Sequence, residues 1–403
     1  MDSEKTKTAW NDTDSGMKKT AWEEMNSNKK TNLKQLMKPA LIGMAIAGCY
    51  NFKDIIHARE KSLIPILSFI YRTIILVIYL FMFVKLIVAF FYLPTAYYNF
   101  NILGVLWFGS IISVYLLNVK CTSSRFGHYH KVFQFWEHKI MPAFEEMEIK
   151  YNVSKITKRI AIVLIASCLN IALNIAGMAV LFTGSSVNVF TAPLRNSAGP
   201  IAVALTIMIS AFFTWILPTA FITIFSMVLQ EAFDSFNVFA SQTCRQNNCK
   251  MPATFQKVRL LHLDLSKLVS DLDQDLGWYY AFSFVFNMAV AVFSLYQVMR
   301  TTTDSAQQAM FIFWCVSCLL YLGLTAIFAA FLHESAHSPL DEIYYLSVQD
   351  ITVEKLAQLN LFLSKLTGTQ IGFSTCGLVM ITKEFILTIA GVFLTYFLVL
   401  YTL

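Results

Sequence analysis

Charge is scarce in this chain. Only 14% of its 403 residues are Asp, Glu, Lys or Arg, against about 25% in an ordinary soluble domain, while 56% are apolar and 15% aromatic, 35 of them Phe. A water-soluble globule of this length would have to expose much of that apolar material, so the composition excludes one and points to an integral membrane protein. A cleavable signal peptide is not expected, because the first 38 residues are polar and hold no apolar core for one. No Gly-rich phosphate loop and no Ser-His-Asp framework appears along the chain. The net charge of +6 would suit nucleic acid only if the basic residues clustered on a soluble folded face, which this composition does not offer.

What is present are seven apolar stretches, 67–93, 99–119, 160–182, 201–229, 277–299, 309–332 and 384–402. Each is long enough to cross a hydrocarbon core of about 30 Å, which takes roughly 20 helical residues. An eighth patch, Ala40–Phe52, is too short to cross and contains Gly43 and Gly48, so 39–66 reads as a re-entrant or interfacial segment. Lys and Arg then settle the orientation, since cytoplasmic loops collect positive charge. The stretch through Ile66 holds 11, 120–159 holds 8, 230–276 holds 5 and 333–383 holds 3, while the opposite side has only Arg195 and Arg300. With 27 of 31 basic residues on one side, the N-terminus is expected in the cytosol and Leu403 outside, the reverse of a G-protein-coupled receptor. None of the eight cysteines falls in an expected external loop, so no external disulfide framework is expected. The expected fold class is an all-α integral membrane protein: seven transmembrane helices, N-terminus cytosolic, C-terminus extracellular, with cytosolic anchor helices.

Residues 1–38 are rich in Lys, Asn and Thr and read as a disordered cytosolic tail, in which Lys7-Thr8-Ala9-Trp10 recurs as Lys19-Thr20-Ala21-Trp22. Residues 67–332 read as a six-helix membrane bundle with cytosolic helical extensions, and 340–383 as the part that carries an anchor helix. Two cytosolic stretches show an apolar stripe at helical spacing: Val258, Leu261, Leu265, Leu268 and Leu272, then Leu356, Leu359, Leu363 and Leu366. Such a stripe packs against another helix, either between subunits as an anchor or within one chain. The first runs through Gly277 into the fifth span.

The last stretch, 384–403, carries Val392, Thr395, Tyr396, Val399 and Leu403 on one face. Periodicity alone leaves open whether that face meets lipid, protein or water. The surrounding residues are Leu363-Ser364-Lys365-Leu366-Thr367-Gly368, Gly372-Phe373, Ile381-Thr382-Lys383-Glu384 and Gly391-Val392-Phe393-Leu394-Thr395-Tyr396. Over roughly the last 45 positions the chain resembles the C-terminal signature of insect-type gustatory receptors, which share a fold with the insect odorant receptors. That signature is a Thr-Tyr pair, five mostly apolar residues, then Gln and a large apolar residue. Here Thr395-Tyr396 is followed by Phe397 to Tyr401, then Thr402 and Leu403. The resemblance implies a ligand-gated nonselective cation channel, a homotetramer or a heterotetramer with related subunits, passing sodium, potassium and calcium. It implies membrane lipid around it, no cofactor and no nucleic acid. It also implies that four copies of the last helix line the pore, with Val399 and Leu403 at a hydrophobic gate, where a ring of aliphatic side chains blocks ions by dewetting. Thr402 stands where the family has Gln, and a hydroxyl has fewer donors and less reach than an amide.

Family receptors bind a small molecule in the outer half of the bundle, which needs aromatic walls and a few placed polar groups. The residues of that type in that half are Lys85, Trp107, Asn174, Ser210, Thr214, Trp215, Tyr296, Gln297 and Trp314. The alternative for each is helix-helix glue or an interfacial anchor. Lys85 lies inside the first span, where a charge is costly. It can meet an acidic ligand or internal carbonyls, or snorkel outward. Asp304 is the sole acid on the external side, which argues against a dedicated sugar site.

Two other classes compete. His333-Glu334-Ser335-Ala336-His337 fits H-E-x-x-H, in which two His bind zinc and Glu acts as base. Pro339 is expected to disfavour the helix such a site needs, and no third ligand motif follows. A secondary transporter would show internal repeats and broken helices, and neither is visible. Neither a catalytic residue nor a metal site is therefore assigned.

Overall fold

The computed structural model describes residues 32–52, 55, 63–123, 128–183, 190–194, 197–246, 251–300, 305–344, 346–347 and 351–402. The long elements are all helical: α1 (Lys38–Ile46), α2 (Ile64–Ala89), α3 (Tyr98–Cys121), α4 (Val153–Thr183), α5 (Ala198–Gln246), α6 (Phe255–Arg300), α7 (Ser305–His337), α8 (Val353–Gly368) and α9 (Lys383–Thr402). Two-residue strands β1 (Ser374–Thr375) and β2 (Val379–Met380) pair antiparallel just before α9. Among the described residues six helices, α2 to α7, are long and apolar enough to cross a membrane, and they coincide with the first six expected spans. Expected span seven is α9, whose 20 residues reach about 30 Å at 1.5 Å per residue.

Two helices run well beyond any bilayer. The 49 residues of α5 and 46 of α6 extend about 74 and 69 Å, against a hydrocarbon core of about 30 Å. In α6 the apolar run occupies 277–299, so the half before Gly277 lies outside the core. That half and the span form one continuous helix, as the unbroken stripe through Gly277 leads one to expect. Around α6 pack α3, α7, α9 and β1, while α5 packs on α1, α4 and α7. The lipid-like exterior is visible on α2, where Phe69, Val77, Phe81 and Val84 are all more than half exposed.

Three expectations change. Residues 32–38, read as the end of a tail, form a helical turn (Leu33–Leu36) with Leu33 and Met37 fully buried, because both insert into the core shared with α1 and α5; residues 1–31 lie outside the described residues. Leu261, Leu265 and Leu268 are almost completely buried within the single chain, so that stripe is occupied internally and is not free to join a second subunit. On α8, Leu359 is buried with Phe362 and Leu366 against Phe255 and Ile343, Leu363 is half-buried and Leu356 is exposed. Finally, Pro339 does not shorten α7, which continues through His337. The proline begins the next short helix, Pro339–Tyr344, where its missing N–H costs nothing.

Candidate ligand cavity and terminal helix

Phe-rich helices leave gaps where flat rings cannot interlock, and one such gap lies between α3, α5 and α7. Its walls include Phe100, Trp107, Phe190, Phe212, Trp215 and Trp314, and its volume is about 30 Å³, room for a water or two. Three of the residues expected at a ligand site, Trp107, Trp215 and Trp314, thus meet at one cavity. Trp107 packs edge-on to Trp215 at 6.1 Å between centroids and lies 4.9 Å from Phe212. Phe190 closes one side, stacked on Phe182 at 5.2 Å and edge-on to Phe100 at 5.3 Å.

The polar residues expected there stand behind the walls instead of facing the space. Asn174 accepts from Trp314 Nε1 at 3.1 Å, and its amide donates to Asn170 Oδ1 at 2.6 Å. Trp215 Nε1 donates to Asn287 Oδ1 at 3.0 Å, and Asn287 is itself held by Ser283. Buried polar groups in a membrane bundle require such partners. Ser210 and Thr214 are drawn off to the Tyr79 hydroxyl, at 2.9 and 2.7 Å, and Thr214 donates to the Ala47 carbonyl of the turn after α1. Lys85 is buried and donates to the Phe190 carbonyl, so it neither snorkels nor meets an acid. Tyr296 lies under the Arg300 guanidinium at 5.6 Å, and Gln297 is buried on α6; neither lines the cavity. Sequence reasoning missed Phe100, Phe190, Phe212, Tyr79 and Asn287. The mid-span polar residues Tyr79 and Asn287 could have been found, as Asn174 was; one Phe among 35 carries no signal.

At the opposite end of the bundle the segment between α8 and α9 is fastened on two sides. On α6, Asp273 accepts from the Ser374 backbone N–H at 2.6 Å and the Ser374 hydroxyl at 2.7 Å. Burial pushes the Asp273 carboxyl above its ordinary range, and these two bonds pull it back. The Cys376 N–H donates to the Gly277 carbonyl at 3.1 Å. On α7, both His of H-E-x-x-H sit on one helical face, their rings 4.4 Å apart. They bond to carbonyls rather than converging on a shared point: His333 Nδ1 is 2.9 Å from Ile371 O and His337 Nδ1 is 2.8 Å from His333 O. Among the described residues no three His, Cys, Asp or Glu side chains gather as a metal site requires.

From that fastened base α9 rises with only one stripe, Phe385, Ile386, Ile389, Phe393 and Phe397, partly covered by its own chain. The expected pore face, Val392, Thr395, Tyr396, Val399 and Thr402, is exposed throughout. Thr395 and Thr402 turn their hydroxyls back to Gly391 and Val399 carbonyls, each at 2.9 Å. Leu403 lies outside the described residues.

The long apolar helices thus pack as a bundle with an aromatic-walled cavity among them and a largely bared terminal helix fastened at its base. The chain aligns with the insect olfactory receptor OR5 from Machilis hrabei at a TM-score of 0.75 and 13% identity, covering 93% of this chain and 99% of that one. The same receptor in complex with eugenol aligns at 0.76 and 12%, covering 93% and 100%. A family model described as "Trehalose receptor" matches residues 194–403, just over half of the sequence, and the chain belongs to that family of insect-type gustatory receptors. No curated protein matches it. The protein is accordingly a multi-pass chemoreceptor channel, not an enzyme.

Proposed function

We propose that this protein is a ligand-gated, nonselective cation channel of the plasma membrane, opened by a small apolar tastant and assembled as a tetramer of this chain or of it with related subunits. One observation carries the reading: in the isolated chain, α9 leaves Val392, Thr395, Tyr396, Val399 and Thr402 uncovered on one face. Four copies meeting on that face would enclose a pore whose narrowest ring is aliphatic, and such a ring excludes ions until the helices spread and admit water. The charge asymmetry of 27 to 2 supports a C-terminal end of α9 on the outside. α8, with Leu356 outward, remains the anchor surface available to a neighbour.

The ligand would enter the cavity among Trp107, Trp215 and Trp314. At about 30 Å³ the cavity has to widen to take any organic molecule, so binding would part α3, α5 and α7 and bias the bundle toward a second arrangement. Two of the three indole N–H groups on its walls, those of Trp314 and Trp215, are already bonded, to Asn174 and Asn287, so recognition falls mainly to ring faces. The family model's description names trehalose, but a disaccharide carries a hydroxyl on nearly every carbon and would leave them unpaired against these walls. An aromatic or terpenoid ligand suits them.

The test is electrophysiology of the chain alone and with a related subunit. Val399→Cys is expected to make evoked cation currents sensitive to a thiol reagent applied outside, and Trp215→Ala to abolish responses to apolar aromatics while leaving the chain at the surface. Robust currents indifferent to the reagent would refute the pore assignment.

A further inference from the structure

The turn His333–His337 ends α7, and four of its five residues, His333 to Ala336, are bonded to other parts of the molecule. Ser335 donates to Asp234 Oδ1 of α5 at 2.7 Å, and its carbonyl accepts from Asn237 of the same helix at 2.7 Å. The Ala336 carbonyl accepts from His262 Nε2 of α6 at 2.9 Å. His333 reaches the Ile371 carbonyl at 2.9 Å, and since a carbonyl only accepts, Nδ1 carries the proton. Glu334 holds Lys383, the first residue of α9, at 2.6 and 2.8 Å from its two oxygens. The same Lys383 ammonium lies over the Phe331 ring at 5.9 Å. His337 Nε2 faces the Thr369 carbonyl at 3.3 Å, although a neutral ring donating from Nδ1 to His333 O cannot also donate there. Gly372 lets the segment pass this close: a Cβ on it would lie 3.2 Å from His333 Cβ and 3.1 Å from Met380 Sδ.

We propose that this turn is the junction through which movement of the ligand bundle reaches α9, a proposal that rests on the reading of α9 as the pore helix. α7 is one uninterrupted helix with Trp314 in the cavity wall and His333 at the junction, about 28 Å further along at 1.5 Å per residue. A continuous helix couples the cavity wall to its far end, where both the start of α9, through Lys383, and the 369–372 segment before β1, through His333, are held. The Glu334–Lys383 pair is exposed on both sides, so it adds little stability; its role is registration of α9 against α7. Clusters that hold a helix in place by a loop carbonyl and one ion pair break and re-form readily, which a bistable joint needs. The H-E-x-x-H spacing is accounted for by this geometry, because i and i+4 on the last turn set both rings on the face that looks at 369–372.

The experiment uses the full chain carrying Val399→Cys on intact cells and reads the rate at which a membrane-impermeant maleimide-polyethylene glycol labels it without any agonist, the parent chain serving as blank. His333→Leu and Glu334→Lys are each expected to change that rate by about tenfold, the shift in equilibrium that one hydrogen bond supports. His333→Asn, whose amide N–H overlays Nδ1, and the swap Glu334→Lys with Lys383→Glu are expected to restore it, an outcome that a purely stabilising role would not give. Because Glu334 and Lys383 are exposed, their swap keeps the test intact if His333→Leu fails to reach the surface. Equal rates in all variants, or failure of both restorations, overturn the junction and leave the pore reading standing. If Val399→Cys in the native background is not labelled at all, the pore reading fails and takes the junction with it.

Discussion

Lys85 Nζ donates to the Phe190 carbonyl from within α2, a membrane-length helix whose other charged residue is Arg72. The bond joins α2 to the segment whose ring, stacked on Phe182 and edge-on to Phe100, closes one side of the cavity. Lys85 thus positions a wall and does not touch the cavity itself. Lys85→Met keeps the length and removes the donor, leaving a buried carbonyl unpaired at a cost of about 1–3 kcal/mol. The expected result is a fall of a few degrees in the melting temperature of the detergent-solubilised protein, with weaker protection of the 190–194 backbone in hydrogen exchange. An unchanged melt with unchanged protection would show that Phe190 is held by ring packing alone.

The Trp314–Asn174 bond at 3.1 Å fixes the indole plane that faces the cavity. Trp314→Phe removes the donor and Asn174→Leu the acceptor, and each alone strands a polar atom in an apolar interior. Together they should be less damaging than the sum of the two, by about 0.5–1.5 kcal/mol in a double-mutant cycle on thermal or denaturant stability. Strict additivity would mean the pair does not interact in solution.

The long apolar runs made the six bundle helices legible from the sequence, and the stripe through Gly277 made the continuity of α6 legible too. Helix ends were not: α5 continues 17 residues past the apolar run that ends at 229, to Gln246, because burial of Phe233 and Phe236 rather than membrane thickness sets its length. The aromatic site was half legible. Trp is rare enough to point somewhere, whereas Phe100, Phe190 and Phe212 vanish in a Phe-rich chain. Polar residues were expected to face a ligand, yet Asn174, Thr214 and Ser210 found partners closer by, as buried donors and acceptors do. H-E-x-x-H was visible as a pattern but not as a joint, since its partners are backbone carbonyls of Ile371 and His333 and every residue type has one.

Gly277 lies mid-helix, where its φ is ordinary and Ala would normally stabilise by about 1 kcal/mol. Here a Cβ would stand 3.2 Å from Cys376 N and 3.3 Å from Ser374 O, both backbone atoms that no rotamer change can move. Gly277→Ala is therefore expected to destabilise in spite of helix propensity and to push the β1 segment off Asp273. Asp273→Asn tests the same contact from the other side, because its amide nitrogen cannot accept from both Ser374 groups. Thermal melts check both, and a stabilised Gly277→Ala would show that the segment shifts without strain.

His262 lies on the part of α6 beyond the membrane run, with its ring 5.7, 5.5 and 5.1 Å from those of Phe233, Phe236 and Phe362. Burial pushes its imidazole down to about 4, against the bond to the Ala336 carbonyl, which favours the charged ring; His337 and Lys365 add smaller pushes in the same downward direction as burial. The unfolded chain takes up this proton near pH 6.5 and the folded one only near 4, so between those values the unfolded state binds more protons. Stability therefore rises with pH in that window. The contribution is complete above 6.5 and is progressively lost as pH falls toward 4, amounting to a few kcal/mol for a shift of this direction and burial. His262→Gln keeps an N–H near the Ala336 carbonyl and cannot titrate. The wild-type melting temperature is expected to drop between pH 7 and 5 more steeply than that of His262→Gln. Parallel curves would mean that the folded ring titrates at its ordinary value, and the packing of α8 through Phe362 over His262 would then have to be looser than the structure has it.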